Sequence, residues 1–134
     1  MKSTDGFTIN EILITITILG ILVTLALPNY ITILEKTRAN EAVRILSILH
    51  AAQKRYYAEN GVYTNDSTRL DVTIPASSNF NAPVISDTGV KVAEIERNNN
   101  KYKFEIDEFA TITCLNQDAV SNPNLCQKLG FQDP

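Results

Sequence analysis

Residues 12–34 of the chain include no charged side chain, and beyond them apolar positions recur every three or four residues. The uncharged stretch is 23 residues long, which as a helix spans about 34 Å. That is enough to cross a hydrocarbon core of about 30 Å. Its inner part is interrupted only by Thr15, Thr17, Gly20 and Thr24, and threonine hydroxyls bond back to helix carbonyls. A lipid-compatible helix is expected here. From Ile31 onward the pattern is amphipathic. Ala42, Ile45, Leu49, Ala52 and Tyr56 form a stripe widened by Val43 and Leu46, while Glu35, Lys36, Arg38, Glu41, Arg44, Lys54 and Arg55 lie mostly off it. The two patterns join into one helix over about residues 7–59, half in lipid and half roofed by a head.

Gly61 ends the helical pattern, being suited to a left-handed cap. A polar connection with Pro75, Pro83 and Gly89 follows to about residue 88. Strands are expected over 90–97, 101–107 and 109–115, with a turn at Asn98, Asn99 and Asn100. Tyr102, Phe104 and Ile106 alternate with Lys103, Glu105 and Asp107, as in a half-buried strand. The first strand is less regular and is expected to hold a bulge. The fold class is therefore α+β, a long N-terminal helix packed against a small antiparallel sheet.

Composition narrows the function. With 134 residues, 12 Lys+Arg and 15 Asp+Glu, the net charge is −3, which disfavours electrostatic wrapping of nucleic acid. Residues 7–60 carry five basic and four acidic groups, and residues 61–134 six and ten, so the head is acidic. Two Cys, one His, one Met and no Trp leave few of the residues that build metal and nucleophile sites. No enzyme activity, cofactor or metal is expected. His50 has no nucleophile near it in sequence and reads as a structural histidine. Asn65, Asp66 and Ser67 fit a glycosylation sequon, a pattern common by chance. Asp66, Asp71, Asp118 and Asn122 are not spaced as a calcium loop.

A secretory signal peptide also pairs a polar start with an apolar run. Here Lys2 stands alone against Asp5, no small-x-small cleavage site follows, and the helical pattern continues past Pro28. Lys2 on one side faces Lys36 and Arg38 on the other, so the distribution of positive charge does not orient the span. Glu11 stands at the margin of this span, where a carboxylate drawn to the bilayer centre costs about 2.5–3.5 kcal/mol. Thr8 and Glu11 have the spacing of a capping box. Pro28 removes a donor to the Thr24 carbonyl and weakens the helix by about 3 kcal/mol. Gly20 adds about 1 kcal/mol, so a kink is expected between them.

Gly6, Phe7, Thr8, Ile9, Asn10 and Glu11, leading into an apolar helix with Gly20 and Pro28, resemble the class III signal of type IV pilins and the related pseudopilins. Asn10 departs from the usual apolar residue, and the leader is less basic than is common. The resemblance implies cleavage between Gly6 and Phe7 by a prepilin peptidase on the cytoplasmic side, with N-methylation of Phe7. A glycine lets the peptidase approach the scissile bond closely. The chain would then divide into a leader 1–6, a transmembrane and filament-core helix 7–34, an amphipathic half 35–60 and a head 61–134. Glu11 would pair with the freed amine of Phe7 on a neighbouring subunit. The segment between Gly20 and Pro28 would stretch or unwind under load.

Residues 55–63 and the paired cysteines look like those of pilins related to the neisserial major subunit. Cys114 and Cys126 enclose a short loop, and a bridge between them would contribute about 3 kcal/mol and imply an oxidising location. Two free or metal-binding thiols are the alternative, although no His lies near them and two ligands do not close a zinc site. In pilins the loop corresponding to residues 116–125 is exposed on the fibre. The resemblance implies an inner-membrane precursor with its head outside, and partners in an inner-membrane platform protein and an assembly ATPase. Its product is a homo-oligomeric extracellular filament, with adhesion, twitching motility and DNA uptake as the open alternatives for its use. A pseudopilin of a type II secretion system is the nearest alternative, and an anchored binding module that never polymerises is a further one.

Overall fold

The computed structural model of the chain describes residues 6–131, with the backbone but not the side chain of Pro28. Residues 1–5 of the expected leader lie outside the described residues. Helix α1, Ile9–Asn60, is 52 residues long and runs without a break through Gly20 and Pro28. It begins two residues later than expected because Phe7 and Thr8 stay outside it, Thr8 serving as its cap. It ends where Gly61 turns to φ +74° and donates its N–H to the Tyr57 carbonyl at 2.8 Å. That is the left-handed cap anticipated for this glycine.

The chain divides into two compact units, one ending at Leu34 and the other beginning at Glu35. The first consists of the apolar part of α1, long and apolar enough to cross a membrane and with none of its most apolar window buried.

The second unit is built around an antiparallel sheet in the order β1-β2-β3-β4, from Val84–Ile85, Ala93–Glu96, Tyr102–Ile106 and Ile112–Asn116. Tyr102, Phe104 and Ile106 all point inward, as their alternation requires. They join Ala42, Ile45, Leu46, Leu49 and Ala52 of α1 in one core. Tyr56 and Val43 are only half buried, at the margins of the stripe. Aromatic contacts continue the core, with Tyr102 edge-on to both Phe80 and Phe104, and Phe131 4.7 Å from Phe104 between ring centroids.

Four expectations about the head need correction. The first strand starts only at Ala93, and its pairing with β3 runs one-to-one from Ala93↔Ile106 to Glu96↔Lys103, without a bulge. The irregular residues lie before the ladder, where Gly89 at φ +76° approaches the Tyr63 ring and Val90 is left exposed. The last strand starts at Ile112, because the Asp107 carboxylate accepts the N–H groups of Phe109 and Thr111 and closes a turn over those residues. The connection contains a short 3-10 turn at Ser67–Arg69 and the two-residue edge strand β1, both too short to show a period. A second helix, α2, Leu125–Leu129, follows the loop after β4, capped by Gly130 at φ +95°.

Gln53 holds the connection onto α1. Fully buried, it donates to the carbonyls of Thr64 (2.5 Å) and Ser86 (3.3 Å), and its Oε1 accepts the Thr64 N–H at 3.1 Å. A buried loop needs such partners for its backbone.

Candidate functional site

At the start of α1, Thr8 and Glu11 close on each other. The N–H and hydroxyl of Thr8 donate to Glu11 Oε2 at 2.8 and 2.7 Å, and the Glu11 N–H donates to Thr8 Oγ1 at 3.3 Å. This is a capping box, and it satisfies amides that a first turn otherwise leaves open. Both of these partners are neutral, so the box orients the carboxylate without neutralising it. Phe7, beside it, is 82% exposed. A Cβ built on Gly6 would meet nothing within 4 Å. Among the described residues, no contact requires glycine at that position.

From Ile12 to Leu27 the large apolar side chains are between 49% and 69% exposed. They lie on every side of the helix, and a helix apolar all round belongs in lipid or inside a larger body. Its hydroxyls are satisfied internally, Thr15 on the Glu11 carbonyl (2.7 Å), Thr17 on Leu13 (2.8 Å) and Thr24 on Ile21 (2.7 Å). A helix in hydrocarbon must meet this condition. Gly20 likewise has nothing within 4 Å of a built Cβ.

In the head, Cys114 and Cys126 form a disulfide with their Cα atoms 5.8 Å apart, joining β4 to α2. The loop they enclose is braced by the Asn116 amide, which donates to the carbonyls of Asn122 (2.7 Å) and Pro123 (3.2 Å), while Val120 at its tip is fully in solvent. His50 is half buried and meets the Glu108 carbonyl at 3.1 Å. Asn65 approaches Asp87, and Asp66 caps the 3-10 turn through Thr68.

One polar cluster escaped the sequence reading. Arg97, only 6% exposed, reaches Glu35 Oε1 at 3.4 Å, and it also donates to the Asn79 carbonyl and to Asn98. Arg38 (2.6 Å) and the Tyr102 hydroxyl (3.1 Å) complete the shell around Glu35. Burial pushes the Glu35 carboxyl up, but the hydrogen bond and charge of Arg97, with the bonds from Arg38 and Tyr102, pull it below its ordinary range. Burial, together with the Glu35 charge, pushes the Tyr102 phenol up. A signal was available: Ala93, Ile95 and Arg97 share one parity, so an inward Arg97 had to find a carboxylate on the facing helix.

The outer face of the sheet carries a second ionic group. Glu94 accepts from Lys91 (2.9 Å) and Lys103 (3.2 Å), and Glu105 from Lys103 (2.9 Å). The bond from Lys91, helped by Lys103 and against partial burial, lowers the Glu94 carboxyl from 4.5 to about 2. A carboxyl depressed on folding contributes stability that is full above its unfolded value and disappears as pH falls through its folded one. The head should therefore keep its urea midpoint from neutral pH down to about 4.5 and lose it progressively toward about 2. Urea titrations at pH 7, 4 and 2.5 test this, and equal midpoints would contradict it.

The chain is similar to the type IV major pilin protein PilA of Myxococcus xanthus, 37% identical over 65 residues, which are 48% of this chain and 30% of that protein. It is 30% identical over 96 residues to the type IV major pilin protein PilE of Neisseria gonorrhoeae, covering 70% of this chain and 58% of the relative. The type II secretion system core protein G of Vibrio cholerae matches at 30% over 79 residues, 59% of this chain and 54% of that protein. The chain is thus similar to type IV major pilins and to a type II secretion core protein over half or more of its own length in two of these three cases. Its α+β architecture of one long helix and a four-stranded sheet is pilin-like. The chain spans less than two thirds of each of these relatives. No family model matches it, and no solved structure does. Of the positions that carry the resemblance, Gly6 and Phe7 lie just before α1 and Glu11 in its first turn, Gly20 and Pro28 lie within it, and the cysteines are in the head.

Proposed function

We propose that the chain is a structural subunit of a type IV pilus, cut after Gly6 and polymerised through α1 into an extracellular helical fibre. The observation that carries this reading is the helix apolar on all sides, headed by a Glu11 that neutral capping partners orient, four residues from Phe7. Cleavage after Gly6 creates an amine on Phe7. Stacked helices bring the Glu11 of one copy to the Phe7 amine of the next, where a dry core screens the pair weakly and penalises wrong registers. Helix–helix packing replaces lipid contacts of similar polarity, so close fit and this pairing must supply the drive to assemble. The segment from Gly20 to Pro28 gives the fibre a place to extend.

Before assembly the chain sits in the inner membrane as a single-pass precursor with its head outside. Prepilin peptidase, an inner-membrane platform protein and an assembly ATPase are its partners. The similar proteins named as pilins are structural, and no catalytic role is assigned to the chain. Mass spectrometry of sheared surface material tests the reading: the chain should begin at N-methylated Phe7. Retention of residues 1–6 there would instead support an anchored module that never polymerises. Gly6→Val should leave the precursor uncut in a membrane fraction, since a branched side chain blocks approach to the scissile bond. Mature protein at the ordinary level in that variant would mean that the cleavage site is misplaced.

A second reading, a pseudopilin of a type II secretion system, is favoured by the similarity to core protein G of Vibrio cholerae and of Klebsiella pneumoniae. Electron microscopy of shed fibres and assay of secreted proteins in a deletion strain separate the two readings. Lost fibres with normal secretion support the pilus, and the converse supports the pseudopilin.

A further inference from the structure

The outer face of the sheet carries a pocket of about 330 Å³. Its charges do not balance. Lys91 and Lys103 are bonded to Glu94 and Glu105, two cations against two anions in one closed group. Glu96 also lines the pocket and faces Lys103 across the β2–β3 ladder, yet its carboxylate has no hydrogen bond or ion pair among the described residues. At the rim, Lys101 and Asp118 are joined through their backbones at 3.1 Å and add one charge of each sign. One negative charge is therefore left over, on a half-buried Glu96. Two amides stand beside it. The N–H of Asn81 donates to the Glu96 carbonyl at 2.9 Å and that of Gln117 to the Lys101 carbonyl at 2.9 Å, which fixes both backbones at the pocket. Their side-chain amides make no bond among the described residues. Val84, 58% exposed, adds an apolar patch.

These groups select a ligand by its chemistry. An unspent carboxylate calls for one cation, and a hydrogen bond between the two is stronger than a neutral one. An amide offers a donor and an acceptor together, as a hydroxyl does, so Asn81 and Gln117 are suited to a polyol. The patch at Val84 suits the C–H face of a sugar ring, and the volume is that of a small-ligand site. We infer that this pocket binds a hexosamine, its ammonium on Glu96 and its hydroxyls on Asn81 and Gln117. Other small solutes fit less well. An anion is repelled by Glu96, a diamine brings its second cation toward Lys103, and an uncharged sugar leaves the odd charge unmatched. The closed ionic group holds the pocket floor in place beforehand, which lowers the cost of ordering on binding. Binding here needs only the folded head, and so it stands apart from the fibre reading.

Saturation-transfer NMR titrations of the full chain, solubilised in a polyoxyethylene detergent, test this with glucosamine, glucose and putrescine as probes. Glucosamine should bind about tenfold more tightly than glucose, the worth of one charge-assisted hydrogen bond. Putrescine should bind more weakly than glucosamine as well. Glu96→Gln keeps the shape of the side chain and removes its charge, so it should bring glucosamine down about tenfold, to the level of glucose. Gln117→Ala should weaken both sugars alike. Near-ultraviolet circular dichroism shows whether each variant is folded, and if Glu96→Gln is not, Gln117→Ala and the three wild-type affinities decide the matter. Absence of glucosamine binding, equal binding of glucose or putrescine, undiminished binding by folded Glu96→Gln, or unchanged sugar binding by Gln117→Ala would overturn the inference.

Discussion

Glu11→Gln is expected to leave the precursor inserted and its helix capped while reducing fibre yield by about tenfold or more. The capping geometry explains why this substitution separates the two roles of the side chain. Gln serves in a capping box as Glu does, so the bonds between position 11 and Thr8 survive. What is removed is the negative charge. If that charge meets the Phe7 amine of a neighbouring copy in a dry core, the amine is left without a counter-ion, at a cost of about 2–5 kcal/mol per contact. The cost recurs at every subunit added. Immunoblots of membrane and sheared fractions measure it: equal membrane pools with depleted fibre is the expected result. Normal fibre in the variant would remove the pairing and leave Glu11 as a cap only.

The second large effect belongs to the head. Glu35→Ala should destabilise it by about 2 kcal/mol, because the nearly inaccessible Arg97 then loses the half-buried carboxylate that faces its charge. Arg97 is nearly inaccessible, and its Nε already has no partner among the described residues. Loss of Glu35 also takes an acceptor from Tyr102 and Arg38. Against a total stability of about 5–15 kcal/mol for a domain, this is a large share. Replacing both partners with apolar residues, Glu35→Leu with Arg97→Met, should recover most of the loss, as apolar substitutes for buried pairs often do. Urea denaturation of the detergent-solubilised full chain, followed by near-ultraviolet circular dichroism, compares the three proteins. A single variant as stable as wild type would show that the cluster contributes nothing to the fold.

The parts of the molecule legible in the sequence are those governed by local periodicity. Ala42, Ile45, Leu49 and Ala52 face the core because a helix places residues three and four apart on one side. Tyr102, Phe104 and Ile106 do so because a strand alternates. Thr8 and Glu11 meet within a single turn. Where partners are far apart in the chain, the pattern gave less. Arg97 and Glu35 are joined across a strand and a helix, Gln53 clasps Thr64 and Ser86, and β1 is two residues held by its neighbour. Phe109 looked like the first residue of a strand, since an aromatic before a β-branched run has that composition. The side chain of Asp107 captured the amides first.

The sequence by itself determined that an uncharged helical stretch is headed by one carboxylate, that an amphipathic half follows, and that a small antiparallel sheet with two cysteines covers it. Each is a matter of spacing between near neighbours, set by backbone geometry. Only the tertiary structure decided which charged groups meet, where the strands begin and end, and which apolar residues of the head remain in water. Those outcomes depend on competition among groups distant in the chain, and folding brings the competitors into contact.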